Sequence, residues 1–413
     1  MPEFVSQIVQ RYPALSHARY RRFWFASFAS VGATQLIGLG SAWLMFELTK
    51  SAFQLGVLGA AAALPNIVVT LFGGVIADRF DMRQILRITS SLIACLLLLL
   101  TYLDFSGQVE AWQVLSIAAA FSAITGFDWP ARVAIYPHLV DRHAFMSAVA
   151  LNSFIWQSTR MAMPALGGVL IYWAGTWLIF ALSAAGFLIM FFVISGLHIN
   201  ITRLKHESPL KELVRGLSFI WQSNLFRWLI GLTFAGMFLS QSYIQIMPVF
   251  VDLMGRSEQS YGYLLSAGGI GSIMGTLFVG MFDEHKPVGH FMFGGACLSV
   301  LALVGFVAAS AANLFMLALL AVFFTAAFSS AYLVLSVTIL QIRVPDELRG
   351  RVMGIHSMGY SLVPLGGLLL GFLAERIGAG TAVLYTSSVY FLIMLITWIY
   401  KKQLRNLRTQ ELN

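Results

Sequence analysis

The chain is a succession of continuous apolar runs, each roughly twenty residues long, the length a helix needs to cross a bilayer. Charged residues make up 11% of the sequence and hydrophobic residues 58%, and the mean hydropathy is +0.79. A soluble domain carries about 25% charged residues, so this chain lacks the polar surface to cover a globule in water. In lipid every backbone polar group must be bonded internally, which leaves helices and closed barrels as the spanning structures. Barrel strands are short and alternate, whereas these runs do neither. The sequence therefore predicts an all-α membrane protein. Its twelve transmembrane helices are expected at 23–48, 53–77, 83–104, 111–135, 145–174, 176–198, 224–251, 258–282, 288–308, 313–341, 351–374 and 378–400.

The distribution of positive charge tests that count. Cytoplasmic loops of membrane proteins are enriched in Lys and Arg. With the N-terminus inside, 22 of the 26 Lys and Arg residues fall in segments expected in the cytoplasm. Lys50, Arg256 and Arg376 fall outside, and Arg160 is left within a span. Both termini are thus expected in the cytoplasm. The net charge of +8 follows from this asymmetry and points to no nucleic-acid partner. Cys95 and Cys297 are far apart inside apolar runs and read as small packing residues. No residue spacing calls for a metal or cofactor. The first run starts near Phe23 and exceeds the apolar core of a signal peptide, so no cleavable leader is expected.

The organisation is bipartite. Residues 1–22 form a cytoplasmic lead-in, 23–199 and 224–400 two bundles of six helices, and 401–413 a cytoplasmic tail. Between the bundles lies a cytoplasmic loop, 200–223, whose KELVRGLSFIWQ stretch has helical periodicity suited to the membrane surface. The halves repeat. LGVLG precedes TLFGGVIAD in the first, and YGYLL precedes TLFVGMFDE in the second, about 206 residues on. Gly56 then matches Gly262, Gly74 matches Gly280, and Asp78 matches Glu284. PALGG at 164–168 resembles PLGG at 364–367. Parallel repeats of this sort suit a carrier whose halves rock about a central site.

GGVIADRFDMRQ, between helices 2 and 3, is the clearest local motif. It resembles the loop signature of the major facilitator superfamily, with Gly74, Asp78, Arg79 and Arg83 in the matching places. Asp81 and Met82 depart from that signature. The resemblance implies the major facilitator fold, two pseudo-symmetric six-helix bundles. It also implies a cytoplasmic gate in which Asp78 latches onto the start of helix 11, near Gly350 and Arg351, and onto Arg132 of helix 4. The alternative is a cluster of topological charges without a gating role.

Helix 4 ends in FDWPARVAIYPHLV, where Asp128 and Arg132 are four residues apart and share a face. Asp128 is expected near the inner boundary, either as half of a local ion pair or as a protonatable acid coupling transport to a proton gradient. Helix 5 repeats Asn152, Trp156, Arg160 and Pro164 at four-residue intervals. Arg160 stands about 22 Å from the helix start at 1.5 Å per residue. A cation at that depth faces a cavity or a partner, so Arg160 is expected to line the central cavity, binding an anionic group or pairing with an acid; the alternative is snorkelling or a structural hydrogen bond to another helix. Thr34, Gln35 and Trp43 in helix 1, and Gln241, Tyr243 and Gln245 in helix 7, are further candidates for the substrate pathway, since helices 1, 4, 7 and 10 line it in the superfamily. Each is also a candidate for an ordinary interhelical bond.

Longer runs extend the likeness. FWFASFASVGATQLIGLGSAWLMFELTKSAFQLG, FDWPARVAIYPHLVDRHAFMSAVALNS and VPDELRGRVMGIHSMGYSLVPLGGLLLGFLAERIG resemble the enterobactin-exporter and macrolide-efflux branch of bacterial major facilitators. That branch implies a monomeric secondary transporter of the bacterial inner membrane, exporting an amphipathic siderophore or drug by alternating access in exchange for protons. A proton-independent facilitator and a lipid or lysolipid flippase remain alternatives. A membrane-embedded enzyme is a remote third, because the spans hold no HExxH, no GxSxG and no paired carboxylates. Substrate, direction and coupling ion are not written in any motif.

Overall fold

The computed structural model describes residues 12–77, 81–197, 209–281 and 288–407, with the backbone alone at 70–77 and 209–213. A single turn, Pro13–Ser16, leads into α1, Ala18–Thr49. There follow α2 Ala52–Ala77, α3 Met82–Phe105, α4 Ala111–Ile135, α5 Phe145–Ala174 and α6 Thr176–Ser195. A surface helix, Pro209–Gln222, lies on the segment expected to be amphipathic. The second half has α7 Asn224–Leu253, α8 Glu258–Gly280, α9 Val288–Ala311, α10 Phe315–Arg343, α11 Asp346–Ile377 and α12 Ala379–Tyr400. Each falls on one of the twelve apolar runs. Among the described residues, eleven are apolar and long enough to cross a membrane. The exception is α5, which carries Asn152, Gln157 and Arg160.

The chain divides into two compact units, Met1–Leu44 with Leu64–Pro209, and Met45–Ala63 with Leu210–Asn413. The first is anchored by side chains reaching across helices to carbonyls. Tyr20 donates to Ala148 O at 3.0 Å and Trp24 Nε1 to Leu151 O at 3.2 Å, pinning α1 along α5. Tyr20 and Phe23 are fully buried among Ile135, Tyr136, Ala148 and Ile194. Outside the spans, His17 Nε2 meets Asp141 Oδ2 at 3.0 Å. That hydrogen bond, helped by the charge of His17, holds the Asp141 carboxyl below its ordinary range.

In the second unit, small residues set helix spacing, as they do where lipid supplies no hydrophobic drive between helices. A Cβ added at Gly271 or Gly275 of α8 would collide with the Phe323 or Ala327 carbonyl of α10. The first turns of α2 belong to this unit for the same reason. Ala52, Gly56 and Gly59 run antiparallel to Gly371, Gly367 and Pro364 of α11. A Cβ on Gly56 would lie 2.6 Å from Gly367 O, and one on Gly59 2.8 Å from Pro364 O.

Two helices are not continuous α. α7 passes through a π turn at Gly236–Ser240 and a 3-10 stretch at Gln241–Ile246 before resuming at Met247. α11 tightens into 3-10 at Gly359–Ser361. Unbroken spans are expected from the sequence at 224–251 and 351–374. The breaks are filled from neighbouring helices. Gly236 abuts the Tyr390 hydroxyl of α12, and Gly359 abuts Met237 Sδ, each at 2.8 Å from an added Cβ.

Gly275→Val is expected to lower the unfolding temperature in detergent sharply, because backbone cannot yield to the added carbons. Gly294→Ala, where an added Cβ meets nothing within 4 Å, is expected to leave it unchanged or raise it, since Ala favours helix by about 1 kcal/mol over Gly. Tryptophan fluorescence during heating reads both.

Candidate functional site

Two arginines of the first unit stand within helices α4 and α5, and their surroundings differ. Asp128 and Arg132 of α4 are 5% and 3% exposed. Arg132 donates to Asp128 Oδ2 through Nε at 3.0 Å and Nη2 at 2.9 Å. Its Nη1 donates to Ser30 Oγ of α1 at 2.8 Å. The other carboxylate oxygen accepts from Thr89 of α3 at 2.8 Å. One ion pair thus joins three helices. The i,i+4 spacing aligns the two side chains on one face. Pro130 between them gives up a backbone N–H and locally loosens the helix.

Arg160 makes no hydrogen bond or ion pair with any described residue, and it is exposed. It ends an exposed face of α5 formed with Ser153 and Gln157, spaced by four and three residues. Of the stripe read from the sequence, Asn152 accepts a 2.6 Å hydrogen bond from the Tyr136 hydroxyl, and Pro164 is buried. Trp156 packs edge-on against Trp129 of α4, centroids 5.2 Å apart, and its indole Nε1 has no partner among the described residues. Gln157 and Trp129 were missed by the sequence reading. The four-then-three spacing of Ser153, Gln157 and Arg160 was the available signal for the first, and nothing marked the second.

On α1, Thr34 donates to its own helix at Ser30 O, 3.0 Å away, and Gln35 is half-buried. Trp43 is buried. An added Cβ on Gly32 would lie 3.5 Å from Met163 Sδ of α5. The register of α1 on α5 therefore puts Ser30, which Arg132 holds, level with Arg160 to within about one turn. An added Cβ at the exposed Gly38 meets nothing within 4 Å. In the second unit, Gln241 donates through Nε2 to Ser329 Oγ of α10. Tyr243 is buried against Phe306, centroids 5.9 Å apart, so it packs in the core. Gln245 lies against Gly367.

The gate residues are described only in part. Asp78 and Arg79 lie outside the described residues, and at Gly74 only the helical backbone is described. Arg83 caps the end of α6, donating to Ile194 O at 3.1 Å and Ser195 O at 2.6 Å. Arg132 is held in the buried pair, and Arg351 is half-buried beside Gly216 of the surface helix.

A family profile described as transmembrane secretion effector matches residues 10–413. The chain belongs to that family, within the major facilitator superfamily of transporters. This major facilitator is 26% identical over 358 residues to the staphyloferrin A transporter of Staphylococcus aureus, covering 82% of this chain and 85% of the relative. It is 26% identical over 349 residues to the enterobactin exporter EntS of Escherichia coli, covering 83% and 82%. Among solved structures, a bacterial homologue of the human lysosomal transporter Spinster, in an inward-facing and unoccupied conformation, superposes with a TM-score of 0.72 at 13% identity. That match covers 95% of this chain and 98% of the other. An inward-facing bacterial homologue of ferroportin gives 0.71 at 16% identity, covering 92% and 97%. These neighbours share the fold. The protein is therefore a multi-pass membrane transporter of small molecules rather than an enzyme.

Removing one partner of a buried ion pair leaves an uncompensated charge, at a cost of about 3–5 kcal/mol. Asp128→Ala is expected to destabilise the protein on that scale, and Asp128→Ala with Arg132→Leu to recover most of the loss. Equal loss in the single and double variants, measured by denaturant titration, would show that the pair is not what holds these helices.

Proposed function

We propose that this protein exports an anionic, amphipathic siderophore-type molecule across the bacterial inner membrane, by alternating access and in exchange for protons. Both termini lie in the cytoplasm, as the Lys and Arg distribution requires. The observation that carries the reading is Arg160, a cation at membrane depth with no protein counter-charge among the described residues. Such a cation is stable where it faces water or an anionic ligand. Chelators of ferric iron present ionisable oxygen donors, which a guanidinium meets with paired hydrogen bonds. Gln157, one turn away, supplies neutral hydrogen bonds, and the Trp129–Trp156 pair an apolar and aromatic wall. The names of the two relatives support the same substrate class.

Asp128 is the proton carrier in this scheme. Its oxygens accept from Thr89 and Arg132, so uptake of a proton would weaken its pairing with Arg132. Because Ser30 holds Arg132 at about the depth of Arg160, an anion arriving near Arg160 competes for the same positive charge. Substrate and proton thereby act on one network. The cycle closes at the cytoplasmic face through Asp78, Arg79, Arg83 and Arg351. Thr34, Gln35, Trp43, Asn152, Gln241, Tyr243 and Gln245 flank or support the pathway. The unit of transport is the monomer.

Uptake into inside-out vesicles tests the substrate assignment, with iron-free enterobactin and staphyloferrin A as probes. Arg160→Ala is expected to reduce uptake at low substrate at least tenfold, and Arg160→Lys to restore part of it at a raised KM. Uptake of both probes unchanged in Arg160→Ala would remove the anion-binding role.

A further inference from the structure

The turn between α1 and α2 is held by three separate contacts in its own compact unit. Glu375 of α11 accepts from the Ser51 hydroxyl at 3.2 and 3.3 Å, and its Oε2 also accepts from the backbone N–H of Phe53 at 3.3 Å. Ser51 itself accepts from Gln54 N at 3.2 Å. The first N–H groups of a helix have no partner within it, and the aligned peptide dipoles favour an anion there. Glu375 and Ser51 together supply both to α2. Lys50, at a φ of 49°, turns its ammonium toward Asp252 at the end of α7, 3.6 Å away. Phe53 meets Phe372 edge-on, centroids 6.4 Å apart, and Arg376 lies over the same Phe372 ring.

Below this cap the two helices touch backbone to backbone. Ala52 faces Gly371, Gly56 faces Gly367, and Gly59 faces Pro364. Such a surface has almost no side chains to interlock, so it can part and re-form without repacking a core. What it lacks is a directional bond to set its register. Glu375 provides one, and it does so across the two sequence halves, which an alternating-access carrier must separate on the outer side. The residue is exposed, so water can replace each of its bonds when the contact opens.

We propose that Glu375 is the outer latch of the transport cycle: a positioning residue whose carboxylate, bound to Ser51 and to the N-terminus of α2, holds the external side closed and is released for discharge. Lys50, Asp252 and Arg376 are the charged groups around it. Lys50 and Asp252 neutralise one another, leaving Glu375 as the anion that faces the helix end. The proposal rests on the alternating-access reading of the protein and not on the identity of its cargo.

The test uses the full-length protein with Cys95 and Cys297 replaced by Ser and one cysteine introduced at Gln245, which lies half-buried against Gly367. A membrane-impermeant maleimide is applied from outside to intact cells. Labelling is expected to be slow with Glu375 present and several-fold faster with Glu375→Ala or Ser51→Ala. Glu375→Gln, which keeps an acceptor but no charge, is expected to fall between. A second variant, S51C with E375C, is expected to lose transport when cross-linked by a short bis-maleimide. The uncross-linked pair controls for folding. Unchanged labelling in Glu375→Ala, or transport that survives cross-linking, overturns the latch. Faster labelling in a protein that moves neither siderophore keeps the latch and refutes only the cargo.

Discussion

A charge at membrane depth must be matched by the protein or kept wet, and the ion pair of α4 meets that demand in the first way. Arg132 is matched. Its carboxylate partner, a serine and the buried geometry leave it committed to binding α1, α3 and α4 together. Arg160 is not matched by any described residue, although it stands at about the same depth. The contrast is between a cation committed to its neighbours and one that, in the proposed function, meets the substrate. The proposed coupling draws on the buried pair, in which one carboxylate and one guanidinium are held together by Thr89 and Ser30.

The second unit is organised by close backbone approach instead. Glycines on α8, α2 and α11 bring carbonyls to where a Cβ would stand. Tight contacts of this kind recover dispersion energy that lipid would otherwise supply equally well to separated helices. The same smoothness accommodates the π and 3-10 turns of α7, whose irregular backbone is covered by α11 and α12 rather than left to lipid. A helix broken in this way is readily bent further, and α7 carries Gln241 and Gln245 on the broken stretch.

Much of the fold was legible because lipid makes the rules simple. Long apolar runs fix the helices, and basic residues fix the loops between them. The pairing of Asp128 with Arg132 could be read from their spacing. The commitments of single side chains could not. Tyr243 reads equally as a pathway residue or an interhelical contact, and its packing on Phe306 follows from which helix lies beside it. Asn152 shares the stripe of Arg160 by four-residue spacing, but a helix turns every 3.6 residues, so the stripe drifts and Asn152 reaches Tyr136 instead. Trp129 carries no periodic signal, because its role depends on which helix lies beside it. The π turn of α7 had no signal beyond Gly236, whereas the 3-10 stretch did have one, because Pro248 lacks the N–H an unbroken helix would use and stands at the start of the resumed helix. The cap that Glu375 places on α2 joins residues 324 apart, a distance over which no local pattern operates.

Coupled exchange requires that movement of an anion past Arg160 be tied to a proton on Asp128. The most direct measurement reconstitutes the purified protein in liposomes with a trapped pH-sensitive dye and follows siderophore and proton fluxes together. Coupled exchange predicts that substrate movement carries a proton signal in the wild type, and that Asp128→Asn abolishes that signal while substrate still binds. Substrate movement without any proton signal, unchanged in Asp128→Asn, would contradict it and leave a carrier that runs down the gradient of its own cargo.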